Sequence, residues 1–245
     1  MRKNFTPEER HALANDLLTP WESHSLIKKY FTPEEKASLT NWNKGFRIVF
    51  AVNGILIGPG EDLDSAYLAG ADLFRACMQG VSLRRATLDG ANLRVADLTG
   101  ANLSYAKAVG AILHNVNLDS TILRSTDLRG AGIGSAEIRD ADLSNADLSG
   151  ADLETSRMHG ANLEGARIRG ARMQRVRLIR ANLKGADLSG ADLALTDFSD
   201  ANLTGANLSG VNLSNANLTG ADLTDAVLRG AELTGATMPD GTIHD

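Results

Sequence analysis

The stretch Ala141-Asp142-Leu143-Ser144-Asn145-Ala146-Asp147-Leu148-Ser149-Gly150 speaks one five-residue phrase twice, and its register holds far beyond both ends. From Leu63 to Met238 an apolar residue falls at every fifth position, giving 36 consecutive centres, 27 of them Leu. The others are Met78, Ala108, Ile133, Ile138, Met158, Ile168, Met173, Phe198 and Met238. Two residues before each centre stands a small side chain, Ala in 27 cases. Val, Thr or Ser replaces it elsewhere, and only Glu61, at the start, breaks the size rule.

A period of five matches neither the 3.6 of an α-helix nor the 2 of a flat strand. It fits a chain that turns a corner every five residues and closes a square coil every twenty. With the centre called i, positions i and i−2 point inward. Positions i−1 (mostly Asp or Asn), i+1 (often Ser, Thr or Arg) and i+2 (often Gly) point outward, and Gly suits a corner because it accepts backbone angles other residues resist. No coil can bury its apolar face alone, so the tract must stack as an all-β solenoid. About nine coils at roughly 4.8 Å spacing make a rod of about 43 Å.

The phrases Ala146-Asp147-Leu148-Ser149-Gly150 and Ala201-Asn202-Leu203-Thr204-Gly205 closely resemble the repeats of the pentapeptide-repeat family. The resemblance covers about three quarters of the chain and implies a right-handed quadrilateral β-helix; the spacing itself shows the corner period, not the hand. The ending Gly235 to Asp245 is similar to that of cyanobacterial members, among them a heterocyst-differentiation regulator that acts through protein–protein contact. Some family members are regarded as mimics of duplex DNA that occupy type II topoisomerases. Their frequent Phe centres, interrupting loops and C-terminal helix have little counterpart in this sequence, where only Phe198 is a Phe centre.

Three regions emerge: a module over residues 1–60, the repeat tract over 61–240 and a tail over 241–245. In the module, Thr6-Pro7 with Glu9, Thr19-Pro20 with Glu22 and Thr32-Pro33 with Glu35 each combine an N-cap, a first-turn proline and a capping-box glutamate. They predict short helices near 7–17, 20–30 and 33–41. Val52-Asn53-Gly54-Ile55 then reads as a hairpin tip, since Asn-Gly suits a tight turn. An uncapped β-helix exposes an edge of backbone donors and acceptors, so the module reads as a lid on the N-terminal edge. The alternative reading is a docking module or a route to homo-oligomers.

Cys77 is the one cysteine, which excludes a disulfide within the chain, and at i−1 it is expected to face outward. With no secretory signal and no apolar run long enough to span a bilayer, the expectation is a cytoplasmic protein without a membrane partner. The module holds 8 basic and 6 acidic residues, which gives no nucleic-acid signal. Residues 61–180 balance at 15 and 15, and residues 181–245 set Lys184 and Arg229 against nine acids, a net −7. The acidic end reads as a solubilising surface or, on the topoisomerase resemblance, as the DNA-like part.

Residues twenty apart should sit one above another. The columns Glu137-Arg157-Arg177-Asp197, Asp127-Asp147-Arg167-Asp187 and Asp152-Arg172-Asp192 then place acids against the arginines between Arg157 and Lys184. This belt is expected to be a set of charge ladders between coils, each exposed pair worth under about 1 kcal/mol, in preference to an anion site. Asn162, Asn182 and Asn202 form an expected amide ladder.

The third coil departs most from the pattern. Ala108 replaces a centre Leu between Leu88 and Leu128 and should leave a small void. Ile112 and Ile122 occupy i−1 positions that elsewhere take Asp or Asn, and Val109 points outward beside them. Phe74, Arg94 and His114 form one i+1 column. Exposed aromatic, Arg and aliphatic side chains grouped together are what a binding patch uses, so these six residues are the candidate protein-binding residues. His11, His24, His114, His159 and His244 lack metal-ligand spacing, the glycines follow the corner period, and a wall without a cleft offers no pocket. No catalytic, cofactor or metal site is expected. The sequence therefore points to a non-catalytic scaffold that binds an unidentified protein; the alternatives are a DNA-mimic modulator of a topoisomerase and a structural element that self-associates through residues 1–60.

Overall fold

The computed structural model describes residues 49–51 and 55–245. The three helices expected near 7–17, 20–30 and 33–41 lie outside the described residues, as do Val52, Asn53 and Gly54 of the expected hairpin tip. Strands β1 (Val49–Ala51) and β2 (Ile55–Ile57) pair antiparallel, in the register Val49↔Ile57, Phe50↔Leu56 and Ala51↔Ile55. Ile57 is fully buried and joins the apolar core of the repeat tract.

Beyond Gly60 the chain is a β-helix. Single-residue parallel bridges join each i−1 residue to the one twenty positions on, from Asp62↔Ser82 without interruption to Asn217↔Thr237. The core is a column of centres with the small residues between them; Leu68 to Leu218 and Ala71 to Ala216 are almost entirely excluded from solvent, and even Phe198 is completely enclosed. Four faces surround this core. The first runs through Leu63, Leu83 and Leu103, the second through Leu68, Leu88 and Ala108, the third through Leu73, Leu93 and Leu113, and the fourth through Met78, Leu98 and Leu118.

The stretch Ala96-Asp97-Leu98-Thr99-Gly100 shows why these five residues form one wall. Leu98 N–H donates to Asn117 C=O at 2.8 Å and Gly100 N–H to Asp119 C=O at 3.0 Å, in the next coil, while Asp97 N–H donates back to Ala76 C=O at 2.9 Å. Ala101 N–H closes the corner on Leu98 C=O at 2.9 Å, and Gly100 has φ 66°. This is the form of a type II turn, whose third residue needs a positive φ. The remaining donor, Thr99 N–H, points outward and meets Asp97 Oδ1 at 3.0 Å, to which the Thr99 hydroxyl also donates at 2.6 Å. The prevalence of Asp and Asn at i−1 thus has a structural cause: only an acceptor of that length reaches the N–H two residues on.

Every i+2 residue from Ser65 to Gly235 has a positive φ, and eighteen of them are not glycine. Val95 at φ 59° and Thr155 at φ 62° are β-branched residues in a region such side chains resist. Where Thr or Ser replaces the small inward Ala, its hydroxyl satisfies itself locally. Thr121, Thr126, Ser156 and Thr196 are fully buried and donate to the carbonyls of Leu98, Leu103, Ile133 and Met173 at 2.7 to 3.0 Å.

At the C-terminal end Leu223, Leu228, Leu233 and Met238 are only partly buried, because no further coil covers them. The chain reverses through Pro239-Asp240-Gly241, and the tail folds back with Thr237↔Ile243 antiparallel. Gly235 N–H donates to His244 C=O at 2.7 Å and His244 N–H to Ala236 C=O at 2.8 Å, which closes this edge at one corner.

Candidate interaction surface

Of the six sequence-derived residues, four share the third face of the rod and a fifth adjoins it across a corner. Phe74, Arg94 and His114 stack at successive coils of the third face, and Ile112, 40 % exposed, flanks His114. Val109, 36 % exposed, sits around the Gly110 corner on the second face. Ile122 does not join them. It lies in the bridge ladder Asn102-Ile122-Asp142 of the first face, ten residues and therefore half a coil from Ile112, on the opposite wall.

Two members are less available than outward columns imply. Phe74 is half-buried, with the Arg75 guanidinium 5.2 Å from its ring centroid, a cation–π distance. His114 is half-buried because the next coil carries glycine at two outward positions of this face, on either side of centre Ile133. Its imidazole lies in the recess over Gly132 and Gly134, and Gly134 is itself buried. Ile112 and Ile122 also forfeit the side-chain acceptor that Asp or Asn supplies at i−1; neither His114 N–H nor Arg124 N–H has an acceptor among the described residues. Ala108 is buried, with the stacking bonds on either side intact: Leu88 N–H to Lys107 C=O at 2.6 Å and Ala108 N–H to Asp127 C=O at 2.7 Å.

The arginine belt is built as ladders. Arg157 pairs with Glu137, Arg167 with Asp147 at 3.9 Å and Arg172 with Asp152 at 3.2 Å, each one coil away in its own column. Further pairs run obliquely: Arg124 with Asp142, Arg169 with Asp187 at 2.5 Å, and Arg172 and Arg175 with Glu154 at 3.1 and 3.5 Å. Arg139 joins Asp119 at 3.1 Å and touches Glu137 at 2.5 Å, the latter a charge contact without hydrogen-bond alignment. The stacked Arg177–Asp197, Arg167–Asp187 and Arg172–Asp192 neighbours do not pair as ions. The amide ladder holds from Asn182 Nδ2 to Asn162 Oδ1 at 3.0 Å, and Asn162 Nδ2 reaches Asp142 at 3.3 Å. Asn202 continues the ladder through backbone only and turns its own Oδ1 to Thr204.

Titratable groups follow these surroundings. Burial, joined by the charge of Asp97, pushes the Cys77 thiol up, and Cys77 is half-buried instead of facing freely outward. Burial, together with the charges of Arg139 and Arg177, pushes His159 down. Asp127 is held below the usual carboxylate range by hydrogen bonds from Arg129. Among the described residues, no group of three or more His, Cys, Asp or Glu could hold a metal ion, and no helix is long and apolar enough to cross a membrane.

These features define a repeat protein whose chemistry lies on its outer walls. The model for pentapeptide repeats matches in eight copies across residues 66–104, 96–131, 136–175, 177–215 and 206–240. The chain belongs to the pentapeptide-repeat family, and its fold is that family's right-handed β-helix solenoid. Among solved structures it is 32% identical to HetL, a pentapeptide repeat protein involved in heterocyst differentiation regulation from the cyanobacterium Nostoc sp. strain PCC 7120. That match covers 87% of this chain and 100% of HetL, with a TM-score of 0.35. A pentapeptide repeat protein from the Arabidopsis thaliana thylakoid lumen is 36% identical over 42% of this chain and 66% of its own, with a TM-score of 0.26. QnrB1, a plasmid-mediated fluoroquinolone resistance protein, is 20% identical over 72% of this chain and 89% of its own, with a TM-score of 0.48. No curated protein sequence matches the chain.

The residues that sequence reasoning passed over are Tyr67, Arg84, Arg85, Tyr105 and Lys107. All are exposed, and all lie along the edge between the first and second faces. The same count of twenty that built the arginine ladders would have found them.

Proposed function

We propose that the chain is a non-catalytic, regulatory scaffold: a β-helix of about nine coils over residues 61–240 that holds a protein partner on its third face. The observation that carries this reading is Ile112. An exposed aliphatic residue stands where the fold prefers Asp or Asn, at the cost of the acceptor for His114 N–H, beside Arg94 and exposed Val95. A site that departs from its own structural rule and exposes apolar surface in exchange is what a contact surface requires. HetL, related along its whole length, is involved in heterocyst differentiation regulation, which supports a regulatory role in a cyanobacterial setting. Residues 1–60 cap the N-terminal edge on this reading, and a docking or self-associating role is the alternative.

Immobilised full-length protein should capture a defined partner from the source organism. Ile112→Asp with His114→Ala should weaken capture without lowering the melting temperature; unchanged capture by that variant removes the third face from consideration. The net −7 of residues 181–245 favours one second reading, a DNA-mimic modulator of a type II topoisomerase. Asp187, Asp192, Asp197 and Asp222 in that tract each hold a local backbone N–H, a structural use of the same acids. Purified protein that leaves gyrase supercoiling unaffected at micromolar concentration ends that reading.

A further inference from the structure

Ion pairing divides the cations of the rod. The arginines from Arg124 to Arg175, eight in all, each meet a carboxylate. Arg75, Arg84, Arg85, Arg94 and Lys107, in the coils before them, form no ion pair with another described residue. Five of the acids in those coils are turned to the backbone. Asp62, Asp64, Asp72, Asp89 and Asp97 accept from the N–H groups of Asp64, Arg84, Phe74, Val109 and Thr99 at 2.9 to 3.2 Å.

Three of these cations converge with two tyrosines. Tyr67, Thr87 and Lys107 are successive members of one bridge ladder on the second face. Arg85 and Tyr105 are successive members of the adjoining corner column, where Arg85 N–H donates to Ser104 C=O at 3.0 Å, and Arg84 stands beside Arg85. Both corner residues have positive φ, 57° at Arg85 and 62° at Tyr105, at positions where many other corners use glycine. Tyr67 is 63% exposed and Tyr105 56%. Two large rings are therefore left in water, one on a backbone conformation that disfavours it, and the three cations of the same and adjoining columns have no described carboxylate partner. Tyr and Arg are the side chains that dominate protein interfaces.

We infer that this edge, formed by Tyr67, Arg84, Arg85, Tyr105 and Lys107, binds an acidic segment of a protein partner whose apolar side chains lie on the two tyrosines; the inference rests on the scaffold reading above. Complementary charge selects the segment, and the rings supply contact area. A nucleic acid fits less well. Its affinity grows with the number of phosphates neutralised, whereas three cations are available here and the far end of the rod carries a net −7. A short acidic segment meets only the local field, because the charges of the far coils lie several Debye lengths away at physiological salt. Three carboxylates adjoin the edge: Asp64, one coil from Arg84 in the same column; Asp89, which accepts from Val109 N–H two residues beyond Lys107; and Asp127, which follows Lys107 in its ladder and is held by Arg129.

The test uses the full chain, isotope-labelled for NMR, and a short peptide of alternating Glu and Leu. Amide shifts should move around Tyr67, Arg84, Arg85, Tyr105 and Lys107. Arg84→Ser with Arg85→Asn, the latter chosen because Asn tolerates a left-handed corner, should weaken binding about tenfold or more. Lys107→Gln alone should weaken it less, which keeps the test decisive if the double variant misfolds. Absent binding, binding centred elsewhere, equal binding of a Lys–Leu peptide, unchanged binding by the variants, or tighter binding of oligothymidylate at this edge would each overturn the inference. Loss of this edge alone would leave partner capture on the third face intact; failure of the scaffold reading would abolish capture altogether.

Discussion

The imidazole of His114 lies so close to Gly132 that a Cβ added there would stand 2.7 Å from Nε2. Gly132 does not have a positive φ, so alanine is acceptable to the backbone and the collision falls on the end of a flexible side chain. Gly132→Ala should therefore turn His114 out of its recess and change stability by less than about 0.5 kcal/mol, in the range of a surface substitution. The His114 ring resonances in NMR should move to solvent-exposed values. A ring that keeps its shifts, or a large loss of stability, would show that the recess is not what holds it.

Ile112→Asp makes a prediction with two signs. The new carboxylate sits where Asp97 sits relative to Thr99 and should accept the His114 N–H, as Asp97 accepts its partner at 3.0 Å. A hydrogen bond of this kind contributes about 0.5–1.5 kcal/mol net. The variant should melt higher than the natural protein while binding its partner less well. Thermal unfolding by circular dichroism reads the first effect; a lower midpoint would mean that Ile112 stabilises the rod through contacts of its own.

The solenoid was legible because one physical rule, large and small apolar residues alternating inward, repeats in every coil. The reason for Asp and Asn at i−1 was visible only as a preference; the structure gives the cause in the outward N–H they accept. Ile122 was grouped with Ile112 on shared chemistry, although ten residues are half a coil and put them on opposite walls. The partial burial of His114 depends on two absent side chains, Gly132 and Gly134, and an absence one coil away is easily missed in a linear reading. Tyr67 and Lys107 are forty residues apart in sequence and two coils apart in space, so composition alone could not bring them together.

Ala108 tests how the core tolerates a missing side chain. The backbone bonds on either side of it, 2.6 and 2.7 Å, are within 0.1 Å of the 2.7 and 2.8 Å at Leu98, so the neighbouring coils have not closed appreciably onto the smaller residue. Ala108→Leu should then gain stability by about 1–2 kcal/mol, part of the roughly 2–5 kcal/mol that the reverse change costs in a rigid core. If Leu88 and Leu128 have filled the space by changing rotamer, the variant will be overpacked and lose about 1–3 kcal/mol instead. The sign of the shift in denaturant midpoint separates the two.

Val95 carries a β-branched side chain at φ 59° and is 43% exposed, so little burial offsets its backbone cost. A left-handed conformation costs an L-residue about 1–2 kcal/mol, and glycine gives back about 0.5–1 kcal/mol through its freer unfolded chain. Val95→Gly should stabilise the rod by about 0.5–1 kcal/mol, and Gly100→Val, at φ 66° in the next corner, should destabilise it by at least as much. Equal effects of one sign from both would show that corner strain is not what these positions measure.

Stability should fall with acidity in two stages. For His159, burial and the charges of Arg139 and Arg177 lower the folded pKa, so the folded state favours the neutral ring. The stability this supplies is full above the unfolded histidine value of about 6.5 and is lost as pH falls toward the lower folded value. For Asp127, hydrogen bonds from Arg129 lower the folded pKa. For Asp187, burial pulls upward, but hydrogen bonds from Ser189 and Arg169 outweigh it. Their contribution is full above the unfolded aspartate value of about 3.9 and disappears as pH drops through the folded values. Melting temperature against pH should show a shallow step below neutrality that His159→Gln removes, followed by a deeper acid loss that Arg129→Gln reduces. A shallow step that persists in the His159 variant would assign it to another group.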